Sequence, residues 1–350
     1  MADTFNYRID HHGSLVRPAA LLDARRRAAA GDLDAEALHA AEAEAVTEAV
    51  AYQRTLRSTV VTDGDFPRAD FRSAVLDAVS GFRRTEGEAD GLPRWVAESL
   101  PKADGPLVAD RAARLAALTV IAPKVSLPSP AYLAATTFDP GLTGSGGPAS
   151  ARELGEALAE VIQAEIALLV SRGVRLIQLT NPLLLGHLAA EPAAPGALSF
   201  ADLLAVESLL MRPADSPEGV RLGFCPGWAA PAAVDPARAE RLYGEVRADR
   251  WVLPYDQGTA AELDLLKALP EDRDVCLGVV DATVPDLEDI DTVLARVDAA
   301  AEVKDIEDMA LSPSRGFADS AARPLLTADA QRRKLVLVET LARYCWGNEF

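Results

Sequence analysis

Two aspartates stand either side of a glycine in Thr62-Asp63-Gly64-Asp65. At the end of a strand, carboxylates at this spacing can share a face, and one can be held protonated and act as a general acid. Asp63 reads as the cap of the turn before Gly64, which leaves Asp65 as the catalytic candidate. His11 and His12 are adjacent, so alternation along a strand sends their side chains to opposite sides. His11 is taken as the one facing a pocket, where imidazole can exchange a proton near neutral pH, and His12 as packed or exposed. Cys225 has two readings, a nucleophile whose thiolate is favoured by Arg315, or a small buried thiol, which is the commoner fate of a free cysteine. Arg315 and Arg17 are fixed cations suited to a carboxylate or a phosphate. Cys276 and Cys345 fall in apolar patterns and read as core.

These residues follow short β-rich runs. The predicted strands are 7–10, 58–63, 123–127, 175–179, 220–224, 251–253, 275–280 and 309–312. Several are almost uniformly apolar, as strands buried on both faces should be. Helical patterns lie between them, at 34–57, 149–172, 234–247, 258–268, 286–301 and 327–344; the second stops at Gly173, as helices commonly do. Eight strands each followed by helical material predict a (β/α)₈ TIM barrel, a single domain over residues 1–350. Residues 70–118 exceed one crossover helix and predict an insertion after the second strand. The Gly/Ser/Pro stretch 138–148 predicts a loop able to act as a lid. In such a barrel the chemistry sits at the carboxyl ends of the strands, where Gly, Pro and polar residues gather here; Asn181 belongs to that rim.

Acidic residues outnumber basic ones by 53 to 35, a formal net charge of -18. That field repels nucleic acid and anionic membranes, and the basic runs Arg25–Arg27 and Arg332–Lys334 are short segments of helical pattern. No apolar run approaches a membrane span, no signal-peptide pattern opens the chain, and three cysteines argue against a disulfide framework. A cytoplasmic protein with a small-molecule substrate is expected, as a monomer or a homo-oligomer.

The rim segments, in order, resemble the catalytic barrel of the cobalamin-independent methionine synthase family. Gly13-Ser14 with Arg17-Pro18 resembles that family's Gly-Ser-x-x-Arg-Pro, and Asp63-Gly64-Asp65 its Asp-Gly-Glu with a shorter acid. Lys124 to Pro130, including Ser129, matches Lys-x-x-x-Pro-Ser-Pro. Gln178 to Pro182 resembles Gln-x-Asp-x-Pro, Tyr255-Asp256 falls in the Glu-Tyr-Asp segment, and Ser312-Pro313 with Gly316-Phe317 matches Ser-Pro-x-Cys-Gly-Phe. The resemblance implies methyl transfer from a folate to a thiolate activated by zinc. It also places the zinc ligands at Gly223, Cys225, Pro254 and Arg315, so only the cysteine is retained. Zinc is therefore not expected, nor any other resident cofactor, and a folate methyl donor has no support of its own. An ammonium site weakened by Thr180, together with Arg315, implies a small anionic substrate. Methyl or alkyl transfer is the default chemistry. The wider superfamily includes uroporphyrinogen decarboxylase, so a metal-free lyase or decarboxylase using Asp65 and Arg315 is the enzymatic alternative, and a non-catalytic metabolite-binding paralogue the other. Ser14, Arg17, Lys124, Ser129, Asn181, Tyr255, Asp256 and Arg315 are the expected substrate contacts, with Asp65, Cys225 and His11 the expected catalytic groups.

Overall fold

The computed structural model describes residues 7–89, 91–143, 146–191 and 197–347. Its strands in chain order are β1 (Val60–Val61), β2 (Val79–Ala89), β3 (Leu92–Ala103), β4 (Ala122–Pro128) and β5 (Leu176–Thr180). They continue with β6 (Arg221–Cys225), β7 (Arg250–Pro254), β8 (Asp274–Val280), β9 (Met309–Pro313), β10 (Ala318–Ser320) and β11 (Arg323–Pro324). Among the described residues β1 and β4 to β9 form one seven-stranded sheet in the order β1-β4-β5-β6-β7-β8-β9, parallel throughout. The predicted first strand is not a regular one. It contributes a single parallel bridge, Ile9 to Leu311, while Asp10 N donates to Leu311 O at 2.9 Å and Thr59 N to Ile9 O at 3.2 Å. Residues 8–10 thus connect the two edges of the curled sheet through backbone hydrogen bonds.

Side chains one residue apart face opposite sides of a strand. The outward set Val125, Leu127, Ile177, Leu179, Phe224, Trp251, Leu253, Val275, Leu277, Met309 and Leu311 joins the helices in the largest hydrophobic cluster. The inward set is smaller and more polar: Cys225, Val252, Cys276 and Ala310 form a separate cluster. Around them the strand register aligns Ser126 with Gln178, Gln178 with Gly223 and Gly223 with Arg250. That split explains why the strands read as apolar runs although their inner face also carries polar side chains such as Ser126 and Gln178.

The helices start where short polar side chains cap them. Asp34, Ser150, Asp235, Thr259, Asp289 and Thr327 each accept a backbone N–H of the first turn. Each such bond contributes about 1 kcal/mol. The resulting helices Ala35–Thr55, Ala151–Ser171, Pro236–Glu245, Ala260–Lys267, Ile290–Ala301 and Ala328–Trp346 lie within a few residues of the six predicted patterns. None of the described helices is long and apolar enough to cross a membrane.

The stretch 70–118 holds the antiparallel hairpin β2–β3 between two short helices, Ser73–Leu76 and Ala109–Ala117. Its tip is pinned from two directions. Gly91 has φ +70°, and a Cβ there would lie 1.7 Å from the Arg323 guanidinium. Arg94 pairs with Asp139 at 2.7 Å, tying the hairpin to the start of the expected lid. Gly144 and Ser145 of that loop lie outside the described residues.

Candidate functional site

A cavity of about 360 Å³ opens at the carboxyl ends of the strands. This is toward the lower end of the size range of small-molecule sites. Its polar lining comes from His12, Ser14, Arg17, Asp65, Ser126, Gln178, Thr180, Arg315 and Asp319, and its apolar lining from Phe71, Leu92, Tyr132, Pro182, Leu183, Trp228 and Ala318.

Asp65 reaches the cavity through an unusual backbone. Gly64 and Asp65 both have positive φ, +68° and +57°. Aspartate tolerates that region better than most residues. Asp63 Oδ1 accepts Asp65 N at 2.9 Å, which is the turn-capping role expected for Asp63. Burial raises the Asp65 carboxyl above its usual range, while Arg68, 3.2 Å away, and Arg17 oppose the rise. Arg17 is buried, and its Nη2 donates to the carbonyls of Asp65 at 2.6 Å and Arg68 at 2.8 Å. Burial lowers the Arg17 pKa to about 10, so it stays a cation at neutral pH. Its Nε and Nη1 have no hydrogen-bond partner among the described residues.

Arg315 lies over the Trp228 ring, 4.0 Å from the centroid, and pairs with Asp319. Gly316 permits this segment to approach the first rim loop, since a Cβ there would fall 2.1 Å from Ser14 Oγ. His12 takes the cavity position that sequence parity assigned to His11. Burial and Lys124 push its pKa down to about 3, so the ring is neutral. Gln178 Nε2 lies 3.4 Å from His12 Nδ1, and that pattern assigns the ring proton to Nε2. His12 Nε2 and Gln178 Oε1 are buried with no hydrogen-bond partner among the described residues.

The other predicted residues are placed away from the cavity lining. His11 turns to Gln53, with Nε2 2.8 Å from Oε1, and burial pushes its pKa down to about 4. Cys225 is fully buried among apolar neighbours and its Sγ lies 3.5 Å from the Gly227 carbonyl. Burial pushes this thiol up to about 12, so it is protonated at neutral pH. Lys124 Nζ donates to Asp10 Oδ1 and to the His11 carbonyl, each at 2.7 Å. Tyr255 is buried, and Asp256, pushed up to about 6 by burial, accepts from Gln257 at 3.0 Å. Ser129 and Asn181 both donate to Glu207 Oε1, at 2.5 and 2.9 Å.

Glu207 was not singled out by the sequence, and it carries a pH signature. Burial pushes its carboxyl up to about 7 from an ordinary 4.5. Between those pH values the unfolded chain releases this proton and the folded chain keeps it, so the Glu207 contribution to stability falls as pH rises through the window. Glu207→Gln preserves the acceptor for Ser129 and Asn181 and removes the titration. Urea unfolding should give near-equal stability for parent and variant at pH 4.5 and a more stable variant at pH 8. A stability difference that does not change with pH would refute the assignment.

Among the described residues no three His, Cys, Asp or Glu side chains converge as a metal-ligand set. No family model matches the sequence. Two Bacillus subtilis proteins, YxjH and YxjG, both named as uncharacterized, are each 26% identical to this chain, over 97% of it and 95% of their own length. A Listeria monocytogenes structure provisionally named a vitamin-B12-independent methionine synthase superposes with a TM-score of 0.75 at 22% identity, covering 98% of both chains. A B12-independent methionine synthase from Shewanella sp. W3-18-1, in complex with selenomethionine, gives 0.75 at 16% identity over 97% of both chains. A methyltransferase from Methanosarcina mazei gives 0.52 at 13% identity, over 98% of this chain and 96% of that one. The chain therefore has the fold of these B12-independent methionine synthase structures.

Proposed function

We propose that this chain is a cytoplasmic, methionine synthase-like enzyme with a closed eight-stranded barrel, which transfers a methyl or alkyl group on a small anionic metabolite without zinc. The observation that carries this reading is the cavity itself. Arg17 and Arg315 line it, and buried atoms of Arg17, His12 and Gln178 have no hydrogen-bond partner among the described residues, which supports a polar ligand there. Leaving such groups unpaired costs about 1–3 kcal/mol each, a cost that a bound polar molecule offsets. Arg17 and Arg315 would hold the anion, neutral His12 would donate a hydrogen bond, and Asp65 would take or give a proton. Charge-assisted bonds of this kind are the stronger class.

The zinc implied by the resemblance does not fit the donor set. A catalytic zinc site needs three protein ligands from Cys, His, Asp or Glu. The corresponding positions here hold Gly223, Pro254 and Arg315, none of which supplies such a ligand, beside Cys225. Protein purified without chelator should contain far less than one zinc per chain by elemental mass spectrometry. Homocysteine methylation from a methyl-folate should be undetectable with or without added zinc. Robust zinc-dependent turnover would overturn the reading. The sealed Cys225 favours a second reading, a metabolite-binding protein without turnover, and the raised Asp65 carboxyl beside Arg17 favours a metal-free lyase. Asp65→Asn separates these, because it abolishes a lyase reaction and leaves simple binding in place.

A further inference from the structure

The cavity has both polar and apolar lining, and the combination specifies the ligand further. Its buried lining includes Arg17, His12 and Gln178, with buried polar atoms that have no partner among the described residues. The more exposed part of its lining holds five large apolar side chains beside the polar Thr136, Arg315 and Asp319. Leu92 from β3, Leu183 after β5 and Trp228 after β6 come from separate segments and line the same cavity, joined by Phe71 and Tyr132, whose rings lie 6.2 Å apart. Leu183 is 44% exposed, and the other four are half-buried. Isolated exposed apolar residues need no explanation, but a group of them lining one cavity marks a site that covers apolar surface. Leu92 is also held in place, because the hairpin tip that carries it packs against Arg323 and is tied to Asp139 through Arg94. A chain with a net charge of -18 repels polyanions, which favours a ligand with one negative charge whose binding gains from an apolar tail.

We propose that the site takes a small monocarboxylic acid with an apolar tail, its carboxylate held by Arg17, His12 and Arg315 and its tail against Leu92 and Leu183. This rests on the preceding reading that the ligand is an anion. The test is calorimetric titration of the full chain with straight-chain carboxylates from acetate to octanoate, and with inorganic phosphate. Affinity should rise about fourfold per methylene until the apolar lining is covered. In Leu92→Ser/Leu183→Ser, two cavity-lining side chains that are at least partly exposed, the rise should fall below twofold per methylene. A flat series in the parent, or a series whose slope the variant leaves unchanged, overturns the apolar-tail inference. Tighter binding of phosphate than of every carboxylate overturns it too. If neither acetate nor phosphate binds at any concentration, the anionic-ligand reading fails along with it, so the two failures are distinguishable.

Discussion

Lys124→Met should destabilise the protein by about 3–5 kcal/mol, the range for removing one partner of a buried ion pair. The Lys124 ammonium sits between Asp10 Oδ1 and the His11 carbonyl, each at 2.7 Å, with both charged side chains 1% exposed. Arg250 is the second cation near Asp10, at 3.5 Å from Oδ2. These two cations hold the Asp10 carboxyl below its ordinary range even though burial pushes it upward. Methionine fills the space of the lysine stem but supplies neither charge nor donor. The variant therefore keeps the packing and leaves the Asp10 carboxylate with the His11 backbone N–H at 2.7 Å and the more distant Arg250. The position matters because residues 8–10 are held to the sheet edges by a single bridge and a few backbone bonds rather than by a full ladder. Equilibrium urea unfolding reads the loss directly. Asp10→Asn/Lys124→Met should recover part of it, since the double variant no longer buries an uncompensated charge. A change below about 1 kcal/mol in the single variant would mean that Lys124 does not anchor this segment, and would return it to the ligand-contact role its motif suggested.

The contrast between Lys124 and Ser126 shows what a strand pattern conveys. Both are on the inner face of β4, two residues apart, so alternation identifies them as equivalent. They differ in depth. Lys124 reaches the Asp10 layer below the cavity, whereas Ser126, aligned with Gln178, lines the cavity itself. Depth depends on the register between strands, which one sequence does not contain. His11 and His12 were exchanged for a related reason. Parity places one of them inside, but the irregular first strand offers no ladder from which to count, and His11 turned to Gln53. The rim loops were legible because Gly, Pro and acidic residues cluster there, and Ser14, Arg17, Asp65 and Arg315 do line the cavity. The helices were legible from their helical patterns, and the end of Ala151–Ser171 from the stop at Gly173. Leu92 was not, because a hairpin thirty residues beyond Thr62 enters the site only through tertiary packing. Cys225 was recognisable as a surviving residue of a motif, but its inertness follows from burial that the motif does not specify.

Arg315→Met should weaken binding of acetate or phosphate by about tenfold to a hundredfold, the loss of one charge-assisted hydrogen bond. Arg315 is a better probe than Arg17, although both line the cavity. Arg17 is buried and donates to two backbone carbonyls, so replacing it would disturb the Asp65 turn as well as the ligand. The Arg315–Asp319 pair is partly exposed, 21% and 23% by side chain, and an ion pair of that kind contributes about 0–1 kcal/mol. Its stacking on Trp228 adds about 0.5–1 kcal/mol at such a site. The variant should therefore remain folded with a modest loss of stability, and the change in affinity can be read without correction for unfolding. Arg315→Lys separates charge from shape, because an ammonium keeps the field but loses the guanidinium fork. If the cation alone matters, the lysine variant should bind within about threefold of the parent at low salt. If the guanidinium geometry matters, lysine should behave like methionine. Unchanged affinity in both variants would remove Arg315 from the binding site and leave Arg17 as the cation that recognises the ligand.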